Sequence, residues 1–210
     1  MHVIVQIPCL NEEDTLPATL RDIPRRIDGV DRVEVLVIDD GSTDRTAEVA
    51  RAHGAAHVIS FTRNRGLGHA MRAGFDASLA LGADIVVNTD GDNQYYGGDI
   101  PALVRPILER RADIVIGDRQ PDTIAHFSPA KRRLQQLGSR VVSWLAGVHV
   151  PDVASGFRAY NRDAVLTLAT HTGFDHTVEH TIQAGHNRLA VLSVPIRTNP
   201  KARESRLFGS

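Results

Sequence analysis

The stretch Val33-Glu34-Val35-Leu36-Val37-Ile38-Asp39-Asp40-Gly41-Ser42-Thr43-Asp44 carries the reading that decides the fold. Its first half is a near-continuous apolar run without strict alternation, as expected of a parallel strand covered on both faces. Its second half is turn chemistry, and Thr43 or Asp44 suits the cap of a helix over 45–52. Working outward, the same strand, polar loop and helix recur. Val3 to Ile7, Val58 to Phe61, Ile85 to Val87 and Ile114 to Ile116 read as further strands. Helical patterns over 13–20, 66–81 and 100–110 alternate with them. That order predicts an α/β domain with a mostly parallel sheet and helices on both faces.

The second half is less regular. Ser128-Pro129 opens an amphipathic helix to about Ala146, with an apolar stripe of Leu134, Leu137, Val141, Trp144 and Leu145. Ser suits the cap and Pro the first turn. A helix over 177–184 and a strand over 189–194 follow. No repeat or Gly/Ser/Pro-rich linker divides the chain, so one domain is expected over residues 1–210.

Composition removes whole classes of function. With 42% hydrophobic and 23% charged residues, the chain is neither disordered nor fibrous. Its 24 basic and 25 acidic residues lack the excess a general nucleic-acid binder carries, so no nucleic-acid partner is expected. A single cysteine, Cys9, excludes an internal disulfide and fits a reducing compartment. No stretch approaches the ~18 apolar residues of a membrane span, and no signal peptide is legible, so a cytoplasmic location is expected.

The ends of the expected strands are loaded with polar groups. Pro8-Cys9-Leu10-Asn11-Glu12-Glu13, Asp39 to Asp44, Arg63-Asn64-Arg65-Gly66, Asp90-Gly91-Asp92-Asn93-Gln94 and Gly117-Asp118-Arg119 would share one rim. In open α/β sheets ligands bind outside the carboxyl ends of the strands. Asp90-Gly91-Asp92 is the sharpest element. Two carboxylates one residue apart offer hard oxygens to Mg²⁺ or Mn²⁺, with Gln94 as a further oxygen. Such an ion neutralises charge on a leaving diphosphate. Turn chemistry alone explains any one of these loops, but not all five together.

In series these stretches, with Asn64-Arg65-Gly66-Leu67-Gly68 and Asp152-Val153-Ala154-Ser155-Gly156-Phe157-Arg158, resemble the catalytic domain of glycosyltransferase family 2. The D-x-D-x-Q pattern and Ser155-Gly156-Phe157-Arg158 are most similar to the polyprenyl-phosphate sugar transferases of the dolichol-phosphate mannose synthase kind. The resemblance implies a GT-A fold, Rossmann-like, with a nucleotide-sugar half over about 1–119 and an acceptor half over about 120–210. It implies a metal-dependent, inverting transferase moving a sugar from a nucleoside-diphosphate sugar to a polyprenyl phosphate. The alternatives are a saccharide or other hydroxyl acceptor, and a non-catalytic nucleotide-sugar binder.

Residue by residue, the resemblance implies that Pro8, Leu10, Asn11, Glu12, Asp40 and Gly68 line the donor, with Asp39 accepting from the base. Asp90 would lie beside the ribose and diphosphate, while Asp92 and Gln94 hold Mg²⁺ or Mn²⁺ and Asp90 assists. Arg119 would face phosphate, joined by Lys131, Arg132, Arg133 and Arg158 on the acceptor side. Asp152 is either a general base or a group that orients its neighbours. Arg197, Lys201, Arg203 and Arg206 would close over the diphosphate, and Glu204-Ser205-Arg206-Leu207 matches a tail stretch of the subgroup. Members of the subgroup often carry membrane helices beyond this domain. A chain ending at Ser210 is therefore expected to be a peripheral enzyme at the cytoplasmic face, or a portion of a longer protein.

Three rival patterns are weaker. His176-Thr177-Val178-Glu179-His180 matches an inverted zincin motif, but a third acidic ligand downstream has only Glu204 to supply it. Gly66-Leu67-Gly68 opens like a dinucleotide fingerprint yet puts Met71 at the third glycine position. A nucleotidyltransferase would need a Gly-rich first loop, where this chain has Pro8 to Glu12.

Overall fold

The structure, a computed structural model, describes residues 1–120, 129–170 and 176–200, and of 129–136 the backbone alone. Strand β1 (His2–Cys9) pairs in parallel with β2 (Arg32–Asp39) on one side and β4 (Ile85–Asn88) on the other. β3 (His57–Ser60) continues in parallel beyond β2. Beyond β4 come β6 (Arg158–Asn161), β5 (Ile114–Asp118) and β7 (Val191–Pro195), giving the order β3-β2-β1-β4-β6-β5-β7. β5 and β7 are parallel, whereas β6 is antiparallel to both its neighbours.

The apolar runs are read correctly as strands buried on two faces. Val3, Val5 and Ile7 join Val35 and Val37 under helices α1 (Leu16–Asp22) and α4 (Ile100–Leu108). Ile4, Leu36 and Ile38 point the other way, onto Met71 and Phe75 of α3 (Leu67–Ala80) and Val165 of α6 (Arg162–Thr167). Alternate side chains therefore enter two different cores, and no position is left for a polar face. α3 can lie this close to the sheet because residue 74 is glycine: a Cβ there would sit 2.4 Å from Gln6 Oε1.

Strand β6 is absent from the sequence expectation. Arg158-Ala159-Tyr160-Asn161 offers one small apolar residue and a charge, yet the first three positions are completely buried. It separates β4 from β5 in the sheet. Helix α1 starts three residues later than expected. Asn11 takes a left-handed φ of 56° and the Glu12 carbonyl accepts from Thr15 and Leu16, so residues 11–15 turn at the rim first. For α2 (Thr46–Ala52), Arg45 holds the cap position and Asp44 sits two residues before the helix, its Oδ1 accepting from Thr46 N at 2.9 Å.

Helix α5 (Pro129–Ala146) packs on α7 (His176–His186), where Gly185 lets the Ala146 carbonyl approach. An apolar stripe ordinarily faces the core. Here the side with small residues does so instead. Ser139 and Ala146 are buried, and Ser139 Oγ accepts from Val153 N at 3.3 Å. Ser143 Oγ meets both Val150 N and Val150 O. Leu137, Val141, Trp144 and Leu145 are left in solvent, Trp144 at 80% exposure.

Candidate active site

The strand order reverses between β1 and β4, so the loops leaving their carboxyl ends part and form a crevice. The loop after β1 is laced to the loop after β2. Ser42 Oγ accepts from Asn11 N at 2.9 Å, and Asn11 Oδ1 accepts in return from Thr43 N at 2.8 Å. Thr46 Oγ1 accepts from Glu12 N, and Asp44 Oδ2 from Glu13 N. Asp39, buried, turns the β2 loop by accepting from Ser42 N at 2.9 Å through Oδ1. Pro8 and Leu10 stay partly or fully open on this platform.

Asp90-Gly91-Asp92 leaves β4 and is clamped from below. The Gly91 carbonyl accepts from Thr15 Oγ1 and Thr19 Oγ1 at 3.0 and 3.2 Å. A Cβ at Gly91 would lie 2.8 Å from Cys9 Sγ, so glycine alone fits there. Cys9 is a buried packing residue, its thiol pushed well above the ordinary value first by burial and then by Glu12, Asp39 and Asp90. Asp92 Oδ1 accepts from Gln94 N at 3.0 Å, with Asn93 between them at a φ of 58°. Burial, then the charge of Asp92, raises the Asp90 carboxyl from 3.8 to about 7, against the pull of Arg119. Two carboxylates crowded so that one resists ionising form a site whose field a cation would relieve. The donor set of two carboxylates and an amide suits a hard divalent ion. Among the described residues no group of three or more His, Cys, Asp or Glu is arranged to hold a metal, so an ion here needs substrate oxygens to complete its shell.

Across the crevice, Arg119 at the end of β5 meets Asp152. Arg119 Nε and Nη2 reach Asp152 Oδ2 and Oδ1 at 2.6 and 2.8 Å, a bidentate pair with both side chains at or below 10% exposure. Burial opposes the guanidinium charge, but Tyr95, Asp152 and Asp90 outweigh it and keep the group protonated. Tyr95 stacks on Phe157 with ring centroids 5.2 Å apart, and its hydroxyl accepts from Gly156 N at 3.0 Å. Burial lifts its phenol to about 12.

A profile of the family described as "Glycosyl transferase family 2" matches residues 4–168. The chain belongs to that family. Over 206 residues it is 31% identical to an undecaprenyl-phosphate mannosyltransferase of Micrococcus luteus, covering 93% of this chain and 83% of that one. It is 30% identical to a polyprenol monophosphomannose synthase of Mycolicibacterium smegmatis, covering 100% and 82%. Among solved structures it resembles the glucosyl-3-phosphoglycerate synthase of Mycobacterium tuberculosis in complex with Mn²⁺, UDP and glucosyl-3-phosphoglycerate. That likeness has a TM-score of 0.76 at 26% identity over 97% of this chain and 73% of that one. The same synthase has also been crystallised with Mg²⁺ and UDP. The fold is therefore GT-A, and the chain is an inverting family 2 glycosyltransferase.

In this family 2 domain some of the expected site residues gather at the crevice and others do not. Asp39, Asp90, Asp92, Gln94 and Arg119 sit at the carboxyl-end rim, with Pro8, Leu10, Asn11 and Glu12 on the adjoining platform. Asp40, expected to line the donor, is engaged by backbone N–H groups. Its two oxygens accept from Arg65 N and Gly66 N at 2.8 and 2.9 Å, pinning the loop that enters α3. Gly68 is buried in the first turn of that helix. Of the two roles expected of Asp152, base or orienting group, the geometry matches the second, since both its oxygens are held by Arg119. Arg158 is corrected. It is fully buried, and its Nε, Nη1 and Nη2 donate to Ser155 O, Thr181 Oγ1 and Val153 O, so it shapes the 153–156 turn and cannot meet an acceptor. The side chains of Lys131, Arg132 and Arg133 lie outside the described residues, as do Lys201, Glu204 and the rest of 201–210.

Arg197, expected to close over the diphosphate, is engaged by its own chain. It grips Asp99 through Nε and Nη2 and stacks 4.3 Å from the Tyr96 ring. Beside it, Thr198 bridges Tyr95, Asn199 N donates to Gln94 O at 2.9 Å, and Asn199 Nδ2 reaches Asn93 O and Oδ1. The chain after β7 thus straps the metal-type loop more than a hundred residues upstream. Sequence reading missed Asn199 and Tyr95, since nothing local marks such distant partners. Gly156 was quoted only within its motif, yet it lies against Asp90, since a Cβ there would be in van der Waals contact with Asp90 Oδ1 at 3.4 Å.

The H-x-x-E-H match is a core feature. His180 is fully buried, its Nδ1 near Tyr160 Oη at 3.3 Å and its Nε2 near Thr170 Oγ1 at 3.0 Å, so hydroxyls take both ring nitrogens. A cavity of about 630 Å³ opens elsewhere, lined by Met1, Asp84, Asp113 and Ala190 at the starts of parallel strands. It lies at the opposite end of the sheet from this rim.

Proposed function

We propose that this family 2 transferase moves a hexosyl group from a nucleoside-diphosphate sugar to a polyprenyl phosphate at a membrane surface. The observation that carries this is the facing of two unlike groups across one crevice. Asp90 and Asp92 concentrate negative charge on one side, with the Gln94 amide beside them, and Arg119, paired with Asp152, stands on the other. Residues 1–119 would hold the donor and residues 120–210 the acceptor.

Asp39 Oδ2, free of hydrogen bonds among the described residues, would accept from the base. Asp92 and Gln94, with Asp90 beside them, would hold Mg²⁺ or Mn²⁺, which when bound neutralises charge on the departing diphosphate. An acceptor phosphate oxygen attacks the anomeric carbon and forms a new C–O bond. The bond to the nucleoside diphosphate breaks, its electron pair leaves with the diphosphate, and the centre inverts. Arg119 would orient the attacking phosphate through Nη1, the guanidinium nitrogen that Asp152 does not take. A phosphate nucleophile is already ionised and needs no base. The engagement of both Asp152 oxygens by Arg119 therefore favours a phosphate over a hydroxyl acceptor. The names of the mannosyltransferase relatives support the same acceptor class. No helix among the described residues is long and apolar enough to cross a membrane, which is consistent with peripheral attachment at the cytoplasmic face.

A transfer assay crossing UDP-, GDP- and dTDP-sugars with a short-chain polyprenyl phosphate, with and without Mn²⁺, tests this. Metal-dependent glycosyl phospholipid is the expected product. Transfer to phosphoglycerate or a sugar hydroxyl, with none to any lipid phosphate, would overturn the acceptor assignment.

A further inference from the structure

We propose that the outward face of α5 is the surface by which this transferase docks on an anionic lipid bilayer. Leu137, Val141, Trp144 and Leu145 recur at helical spacing and are 59%, 48%, 80% and 59% exposed. A lone exposed leucine needs no explanation, but four apolar residues on one face of one helix mark a contact surface. Burial of the opposite side, through Ser139, Ser143 and Ala146, fixes which face points out.

Charge selects the occupant. The sequence of α5 carries Lys131, Arg132, Arg133 and Arg140 and no acidic residue, within a chain whose formal net charge is −1. Arg140 is exposed beside the apolar stripe. Basic residues around a Trp- and Leu-bearing face are the chemistry of a helix lying in the plane of an anionic interface, with tryptophan at headgroup level. A second copy of this chain is a poorer fit, because a two-fold contact would bring two identical basic helices together. Placement agrees as well. Ser139 and Ser143 fasten α5 to residues 150–153, and Asp152 in that segment holds Arg119. A bilayer under α5 would therefore lie against the element that positions the phosphate-facing arginine. The purpose of docking rests on the lipid-phosphate reading above; the docking itself does not.

Trp144 is the only tryptophan, so its emission reports on this face alone. Vesicles of phosphatidylcholine with phosphatidylglycerol should shift it to the blue and make it quenchable by brominated lipid, an effect weakened by salt and absent with phosphatidylcholine alone. In flotation, Leu145→Glu and Val141→Glu should each weaken binding about tenfold or more. Both should melt like the parent and turn over a water-soluble short-chain acceptor at the parent rate. Arg140→Glu should reduce the salt dependence. No shift with anionic vesicles overturns the proposal. So does a shift that follows protein concentration without lipid, which assigns the face to a second copy. Emission already blue in dilute protein overturns it too, since the chain itself would then cover the face. Docking without transfer to any lipid phosphate would remove the acceptor reading and leave the docking surface standing.

Discussion

The two sides of the crevice solve opposite electrostatic problems. On the side proposed for the donor, Asp39, Asp90 and Asp92 are held by neutral N–H donors or by crowding, and their charge is left for a ligand to neutralise. On the side proposed for the acceptor, the charges are already settled by the protein. Asp152 and Arg119 neutralise one another, and Arg158 spends its donors on two carbonyls and a hydroxyl. A pair settled internally is rigid but has little capacity to take a proton, whereas an unsettled cluster is strained and ready to bind. That contrast separates Asp90, Asp92 and the remaining Nη1 of Arg119, which should touch substrate, from Asp152 and Arg158, which position their neighbours.

The sharpest break in the contrast would come from Asp92→Asn. Loss of one metal-type carboxylate should cut transfer by about a hundredfold or more while the melting temperature stays unchanged. Parent-like turnover would remove the donor-side role. On the acceptor side, Asp152→Ala leaves Arg119 buried without its counter-ion and should cost about 3–5 kcal/mol in denaturant unfolding. Asp152→Asn keeps the shape and one acceptor oxygen. It should lower kcat without removing a limb of the pH–rate profile, whereas a lost acidic limb would restore Asp152 as the base.

The smallest effect concerns stability in the absence of metal. Asp90 ionises near 7 in the folded chain and near 3.8 when unfolded, so the folded state holds its proton more tightly between those values. The stability it contributes is fully present below about 3.8 and is lost as pH rises through 7. Asp90→Asn should therefore melt above the parent at pH 8. The gap should close as pH falls towards 4, and close again at pH 8 when Mn²⁺ is added to the parent. A gap independent of pH and Mn²⁺ would mean that Asp90 is not a strained carboxylate.

Much of the donor side was legible because its information is local. Val3 to Ile7 and Val33 to Ile38 announce buried strands, and each is followed at once by the polar loop it delivers to the rim. Local pattern fails where a residue's role depends on who answers it across the fold. Asp39 and Asp40 are adjacent and chemically identical. One turns its own loop and keeps an oxygen over, while the other is consumed by Arg65 and Gly66. The resemblance set Arg158 among the phosphate-facing residues, and charged residues are seldom fully buried. Arg158 is buried here because Val153, Ser155 and Thr181 satisfy it. The apolar stripe of α5 was correctly located, but its direction was not in the pattern.

The sequence by itself determined the α/β class, the five rim loops and the family, since strand periodicity, turn chemistry and motif order are properties of neighbours along the chain. Only the tertiary structure decided that β6 runs antiparallel between β4 and β5, that Asp152 belongs to Arg119, that Asn199 straps Gln94, and that Trp144 faces outward. Each of these depends on desolvation and hydrogen bonding between groups far apart in the chain. Which partner satisfies a buried charge, and which face of a helix is left uncovered, is set only when the core closes.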